Sequence, residues 1–317
     1  NAYSVKAFGS VEYWFSTIKV FAILAFILLA AVVLFGQHGV SSGVSNLSAH
    51  GGFAPNGFWG IWVGVIISIF SYLSIEMIAV AAGEAENPEE SVKKAFRATI
   101  YRLVIFYLLS LTLIVMLVPW NVLTAKGATS PFITVMRELG IPYADGILNF
   151  IVIIAALSAM NSMLYISTRM MFSLSRAGDA PKFLGKIKEN GVPMNALMLS
   201  ASGIAVAAIV YTANPDKAFP VMIALSMFGA MVTWGMIFVT HFFFRREIER
   251  SGKQLTFKVP GFPIGTLLGA FLMLAIMITT YFTNEFKSTL IFGVPFIVVL
   301  VVLFYAMRRN TKAERLS

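Results

Sequence analysis

Two ionisable side chains stand where water is scarce: Lys19 and Glu76, with no Asp, Glu, Lys or Arg between them. A lysine taken out of water loses the hydration that stabilises its ammonium, which is the condition for exchanging a proton reversibly. Lys19 is therefore either tied to carbonyls or a carboxylate for stability, or a working cation in a transport or proton pathway. Around Glu76 the order Phe70-Ser71-Tyr72-Leu73-Ser74-Ile75-Glu76 breaks an apolar run with polar groups. Serines compete for helix backbone groups, and irregular backbone at membrane depth survives only beside a cavity or inside protein. Further along, Ser158, Asn161, Ser162 and Ser167 recur within an uncharged stretch. Residues three or four apart share a helix face. Part of this set therefore forms either an interhelical hydrogen-bond stripe or the wall of an ion or substrate path. Glu12 and Glu84 fall near expected helix ends, where contact with the interface suffices to explain them.

Other chemistries lack their residues. Cysteine is absent and the three histidines (His38, His50, His241) are dispersed, so no thiolate or imidazole-rich metal centre is expected. No loop carries a phosphate-binding or paired-carboxylate signature, so no cofactor is expected and nothing provides for direct ATP drive. Gly39-Val40-Ser41-Ser42-Gly43 matches the pattern of serine hydrolases, but that motif needs a strand before it and a helix after it. Neither is expected in the Gly/Ser-rich outer loop 36–58, and the hydrolase reading falls.

The elements that must position Lys19 and Glu76 follow from composition. Of 317 residues, 58% are apolar and 12% charged, with a mean hydropathy of +0.81. A soluble domain runs nearer half apolar and a quarter charged. An ordinary soluble enzyme and a disordered chain are both excluded. Further uncharged stretches cover 103–125, 146–168, 190–215, 218–244, 259–284 and 288–307. A bilayer core takes about 20 apolar residues per helix. The expected fold is all-α and integral to the membrane, with eight helices at about 10–35, 59–82, 100–119, 145–168, 193–213, 218–243, 262–284 and 288–307. Lys19 then lies near the midplane of the first, and Glu76 about two turns from the end of the second.

Charge placement sets orientation. Of the 24 Lys and Arg, 19 fall in residues 1–9, 83–102, 169–192, 244–261 and 308–317, four fall on the other side, and Lys19 is inside a helix. Such an imbalance over short loops places both ends in the cytoplasm of a multi-pass cell-membrane protein. The net charge of +9 is thus explained by topology and anionic lipid, and no nucleic-acid partner is expected. In the loop after the second helix, Asn87-Pro88-Glu89-Glu90 reads as an N-cap, a first-turn proline and first-turn acids, predicting a surface helix through about residue 99. Gly261, Gly265 and Gly269 are spaced for close helix packing in lipid.

The sequence resembles the amino acid permeases of the amino acid–polyamine–organocation superfamily, in their bacterial subfamily. The likeness is carried by Phe8-Gly9-Ser10-Val11-Glu12-Tyr13-Trp14-Phe15 running into Ile18-Lys19-Val20, and by Ser74-Ile75-Glu76 running into Ala82-Gly83-Glu84-Ala85-Glu86-Asn87-Pro88. It continues through Leu157-Ser158-Ala159-Met160-Asn161-Ser162 and Ser175-Arg176-Ala177-Gly178-Asp179-Ala180-Pro181, in family order along essentially the whole chain. The resemblance implies twelve helices, ten of them in two inverted repeats of five. On that map residues 1–317 are one permease domain truncated at its N-terminus: 10–35 is the fifth family helix, 59–243 the second repeat, and 262–307 the last two helices. The half of the substrate site on the first four helices would be missing.

By the same resemblance, the helix at 59–82 is unwound mid-membrane beside the substrate. That implies a substrate role for Phe70, Ser71, Tyr72, Leu73, Ser74 and Glu76, with Ser226 on the far wall. Many relatives carry glycine where this chain has Ser74. In sodium-coupled relatives an ion sits between the first, fifth and eighth helices, and in proton-coupled ones a lysine of the fifth takes its place. Lys19 stands in that context, facing Ser158, Asn161 and Ser162. The implied function is amino acid transport with the proton as coupling ion, by alternating access. A membrane enzyme using Glu76 or Glu84 as acid or base, and a purely structural scaffold, are the competing readings. A broken helix at a midplane cavity would favour transport; clustered acids or histidines at one face would favour an enzyme.

Overall fold

Apolar runs that lipid surrounds leave the backbone one way to pair its own polar groups, and in this computed structural model the chain takes it. Residues 5–38, 40–82, 87–124, 130–138, 140–188, 191–255, 258–283 and 286–314 are described, and none of them is in a strand. Among the described residues, seven helices are long and apolar enough to cross a membrane: Phe8–Gly36, Glu89–Leu117, Ala144–Ala177, Met194–Ala213, Pro215–Arg250, Ile264–Phe282 and Lys287–Ala306. In the most apolar window of Ala144–Ala177 only 6% of residues are buried, so most of its apolar surface faces outward, as lipid requires.

The chain divides into two compact units, residues 1–61 with 74–201, and residues 62–73 with 202–317. In the first, α1 (Val5–Val33) ends in a π-helical turn, Leu34–His38, before α2 (Val40–Ser48). The start of α3 (Gly57–Ser71) follows, then α4 (Met77–Ala82), α5 (Pro88–Arg102), a π-helical stretch at Leu103–Leu109, and α6 (Ser110–Leu117). The short α7 (Trp120–Leu123) and α8 (Pro131–Glu138) lead into the long α9 (Ala144–Ala177) and the first part of α10 (Met194–Ala213). The core joins Phe26, Ile27, Ala30, Val33 and Leu34 of the α1 region to Leu113, Ile114 and Leu117 of α6 and Val135 of α8. Phe26 and Phe132 meet edge to face at 4.7 Å, the preferred geometry of aromatic pairs. α1 also packs along α9.

In the second unit, α11 (Pro215–Arg250) packs against α12 (Ile264–Thr279) and α13 (Lys287–Glu314). Ile66, Ile69, Met227, Met231 and Ile276 form its core, and Trp62 donates its indole N–H to Thr279 Oγ1 at 2.8 Å. α11 and α13 approach closely because Gly293 has no side chain. A methyl there would overlap Cβ, Cγ and Cδ2 of Phe228.

The expected helix over 59–82 is two pieces. α3 stops at Ser71 and α4 starts at Met77. The intervening amides switch to three-residue spacing, with Tyr72 N bonded to Ile69 O, Met77 N to Ser74 O and Ala79 N to Glu76 O. Ser74 has φ of +78°, in the left-handed region that glycine enters freely and other residues enter at a cost. Serine at 74 therefore sits in the break at a conformational cost.

Four local expectations are corrected. The surface helix through about 99 and the span at 100–119 form one uninterrupted helical rod from Pro88 to Leu117, because the junction residue Leu103 keeps helical angles. Asn87 makes no side-chain cap, although Pro88, Glu89 and Glu90 occupy the first turn as expected. Loop 36–58 contains α2, pinned by Asn46 Nδ2 donating to Met116 O at 2.8 Å. Within the glycine series only Gly269 meets another helix, at the Phe238 ring; Gly261 precedes α12 in a turn with φ of +77°.

Two stability effects are expected. Gly293→Ala should destabilise by about 1–3 kcal/mol through overpacking, whereas Gly203→Ala on α10, with open space around it, should gain up to about 1 kcal/mol from helix propensity. Thermal midpoints in detergent check the pair, and equal midpoints would refute the packing. Ser74→Gly should raise the midpoint slightly, since relief of about 1–2 kcal/mol of left-handed strain exceeds glycine's entropic cost of about 0.5–1 kcal/mol. Ser74→Val should lower it.

Candidate functional site

The polar cluster lies within the first unit, where α1 and α9 run side by side. Lys19 Nζ donates to Ser158 Oγ at 2.6 Å. Ser158, wholly buried, donates in turn to Glu12 Oε1. The same carboxylate receives Ser16 Oγ at 3.4 Å and Asn161 Nδ2 at 3.4 Å on its other oxygen. Lys19 Nζ is 3.7 Å from Glu12 Oε1, the two side chains being 34% and 21% exposed.

Local sequence explains this convergence. Glu12, Ser16 and Lys19 are four and three residues apart, so they lie on one face of α1. Ser158 and Asn161 are likewise three apart on α9. Antiparallel packing then sets the earlier residue of one helix beside the later residue of the other. A carboxylate with three donors and an ammonium with a hydroxyl and a nearby counter-charge are each partnered within the protein, as ionised groups drawn out of water must be. The cluster can hold one positive charge, and its donor order permits that charge to move.

Lys19, Ser158 and Asn161, which the resemblance places together, meet here; Ser162 is half-buried one helical turn on from Ser158. Ser167 is turned to its own helix, donating to Leu164 O at 3.2 Å. Sequence reasoning missed Glu12 as the partner of Lys19. The signal was present, since a separation of seven residues is two helical turns and puts both groups on the same face.

The residues expected at the substrate occupy the helix break and α11. Ser71 closes α3, Tyr72 and Leu73 are half-buried in the unwound stretch, and the Phe70 side chain lies outside the description. Ser74 Oγ reaches Met163 Sδ of α9 at 3.9 Å. Glu76 is half-buried at the end of the break. Ser226 is exposed on α11 and donates to Met222 O of its own helix at 2.9 Å. Glu84 lies outside the described residues.

Comparison with known proteins agrees with a membrane-spanning helical chain. The amino acid permease family model covers residues 1–317. The chain is 36% identical over 316 residues to the aromatic amino acid transport protein AroP of Escherichia coli O6:H1, across 99% of this chain and 69% of that one. AroP of Salmonella typhimurium (strain LT2) is 38% identical over 284 residues, 89% of this chain and 62% of the relative. The uncharacterized amino acid permease YtnA of Bacillus subtilis is 34% identical over 309 residues, 96% and 66% of the two chains. With the whole described chain matched and its helices long enough to span, this protein belongs to the amino acid permease family, multi-pass membrane transporters of amino acids.

Proposed function

We propose that this protein brings amino acids into the cell by proton symport, by alternating access, with both ends of the chain at the cytoplasmic face. The observation that carries the coupling is Lys19 Nζ held 2.6 Å from Ser158 across α1 and α9, where the resemblance puts an ammonium in place of sodium. The charged amine ties the two helices through Ser158 and Glu12. The neutral amine has one proton fewer to donate and no attraction to the carboxylate, so the tie loosens. Protonation from one side and release on the other then bias two conformations of the same protein.

The substrate role belongs to the break. The α-helical ladder is interrupted at 72–76, where three-residue bonds replace it, and discontinuous helices of this kind carry the substrate site in many transporters; Ser71, Tyr72, Ser74 and Glu76 are the polar side chains of that stretch. Phe70, Leu73 and Ser226 complete the assigned set. Relatives named for aromatic amino acid transport make Phe, Tyr and Trp the first substrates to test.

Uptake of radiolabelled Phe, Tyr and Trp, then of the other amino acids, by the complete protein in proteoliposomes tests this reading. Uptake should follow an inward proton gradient and be unchanged when sodium is replaced by choline. Lys19→Ala should cut gradient-driven uptake by about tenfold or more. Lys19→Arg should not restore it, because arginine keeps its proton at any workable pH. Sodium-dependent uptake, or a normal pH profile in Lys19→Arg, would overturn the coupling.

Glu76→Gln keeps shape and removes charge. It should raise the substrate KM or lower kcat by about tenfold, and unchanged kinetics from pH 5 to 8 would remove Glu76 from the mechanism.

A further inference from the structure

We propose that Glu12 is the proton acceptor for Lys19, with the Ser158 hydroxyl as the relay between them; this rests on Lys19 being the coupling group. Donor directions along the path all agree. The ammonium donates to Ser158 Oγ at 2.6 Å, and the same hydroxyl donates to Glu12 Oε1. The direct separation, 3.7 Å, is too long for a hydrogen bond, so a proton leaving Lys19 has its short path through the serine.

The step balances. An Nζ–H bond breaks and its proton joins Ser158 Oγ, while the proton already on that oxygen passes to Glu12 Oε1. Ammonium and carboxylate become amine and carboxylic acid; serine is unchanged, and the net charge is zero before and after. Glu12 then gives its proton to water.

The direction of transfer follows from position. Glu12 precedes Lys19 by seven residues, about 10 Å along the helix axis, on the side of α1's first residues, which the Lys and Arg distribution places at the cytoplasm. Ser16 and Asn161 donate to the same carboxylate, holding its oxygens in place in either protonation state of the pair.

Other charged and titratable groups lie on the same packed elements. On α9, Tyr165 stacks on Phe8 at 4.3 Å, and Arg169 lies over the Tyr165 ring at 5.1 Å, both on the cytoplasmic side of Asn161. Asp145, paired with Arg137, and Arg176 are at the two ends of α9. α6 carries no titratable group, the Leu103–Leu109 stretch carries Tyr107, and α1 itself carries Lys6 and Tyr13 and runs into the turn ending at His38.

The experiment separates net proton-driven uptake from substrate exchange. The complete protein is reconstituted with a pH dye in the vesicle lumen, and labelled substrate is measured in both modes. Exchange returns the carrier with its proton still bound and needs no acceptor. Glu12→Gln keeps the hydrogen-bonding shape and cannot accept a proton. The ratio of gradient-driven uptake to exchange should fall by about tenfold or more, and lumenal acidification should fall with the driven uptake. Glu12→Asp should recover at least about a third of the driven uptake.

Driven uptake that persists in Glu12→Gln while Lys19→Ala abolishes it overturns Glu12 alone. Persistence in Lys19→Ala overturns the underlying coupling reading. Loss of both modes together in Glu12→Gln and in Glu12→Asp marks a merely structural carboxylate and also overturns the proposal.

Discussion

An amine at membrane depth has no water to hold its charge, so the protein must bring the counter-charge and the donors to it. That single requirement organises the first unit. Lys19 on α1 demands Ser158 and Glu12, Glu12 demands Asn161 and Ser16, and two of these partners sit on α9. α1 and α9 must therefore pack in one register. Interhelical polar bonds of this kind contribute about 0.6–2 kcal/mol each in lipid, so their larger effect is to specify position. The apolar core of Phe26, Ile27, Leu113 and Ile114 supplies contact area further along α1, but apolar packing in lipid has no preference that a polar pair could not override.

The helix break is the second departure from regular structure, and it is made by different means. No proline or glycine lies between Ser71 and Met77. Ser74 instead takes a left-handed angle, and the ladder changes to three-residue spacing on both sides. Such strain persists only where the surroundings over-determine the backbone. α3 is anchored before the break through Ile66 and Ile69, while Ser74 reaches α9 after it.

Much of this was legible in the sequence because lipid makes simple demands. Uncharged runs near Lys19, 146–168 and 218–244 are long enough to span, and long helices appear at each. The polar interruption at Ser71–Glu76 announced the break. What was not legible concerns pairs. Glu12 reads as an interface residue by its distance from the helix end, whereas its seven-residue separation from Lys19 puts the two on one helix face. The surface helix and third span were read apart because a change from charged to apolar residues near 100 marks a change of solvent and leaves the backbone unaltered. α2 was hidden by its glycines and serines, poor helix formers in isolation that fold against α6 through Asn46. For Gly261, Gly265 and Gly269 the spacing was right, yet only the residue inside the packed part of α12 met another helix.

A serine placed between lysine and glutamate has a mechanical consequence. Its two bonds cross from α1 to α9 and back, so both depend on one interhelical register. Hydroxyl bonds work over a range of about half an ångström and weaken quickly outside it. Sliding α9 along α1 by about 1 Å would part Ser158 from the ammonium or the carboxylate, whereas a direct ion pair between flexible Lys and Glu side chains would follow the movement. The relay is therefore connected in one arrangement of the helices and broken in its neighbours. If the charge on Lys19 sets which arrangement is favoured, the proton can leave only from the arrangement that its presence holds together. That link between occupancy and conformation is what symport requires of any coupling group.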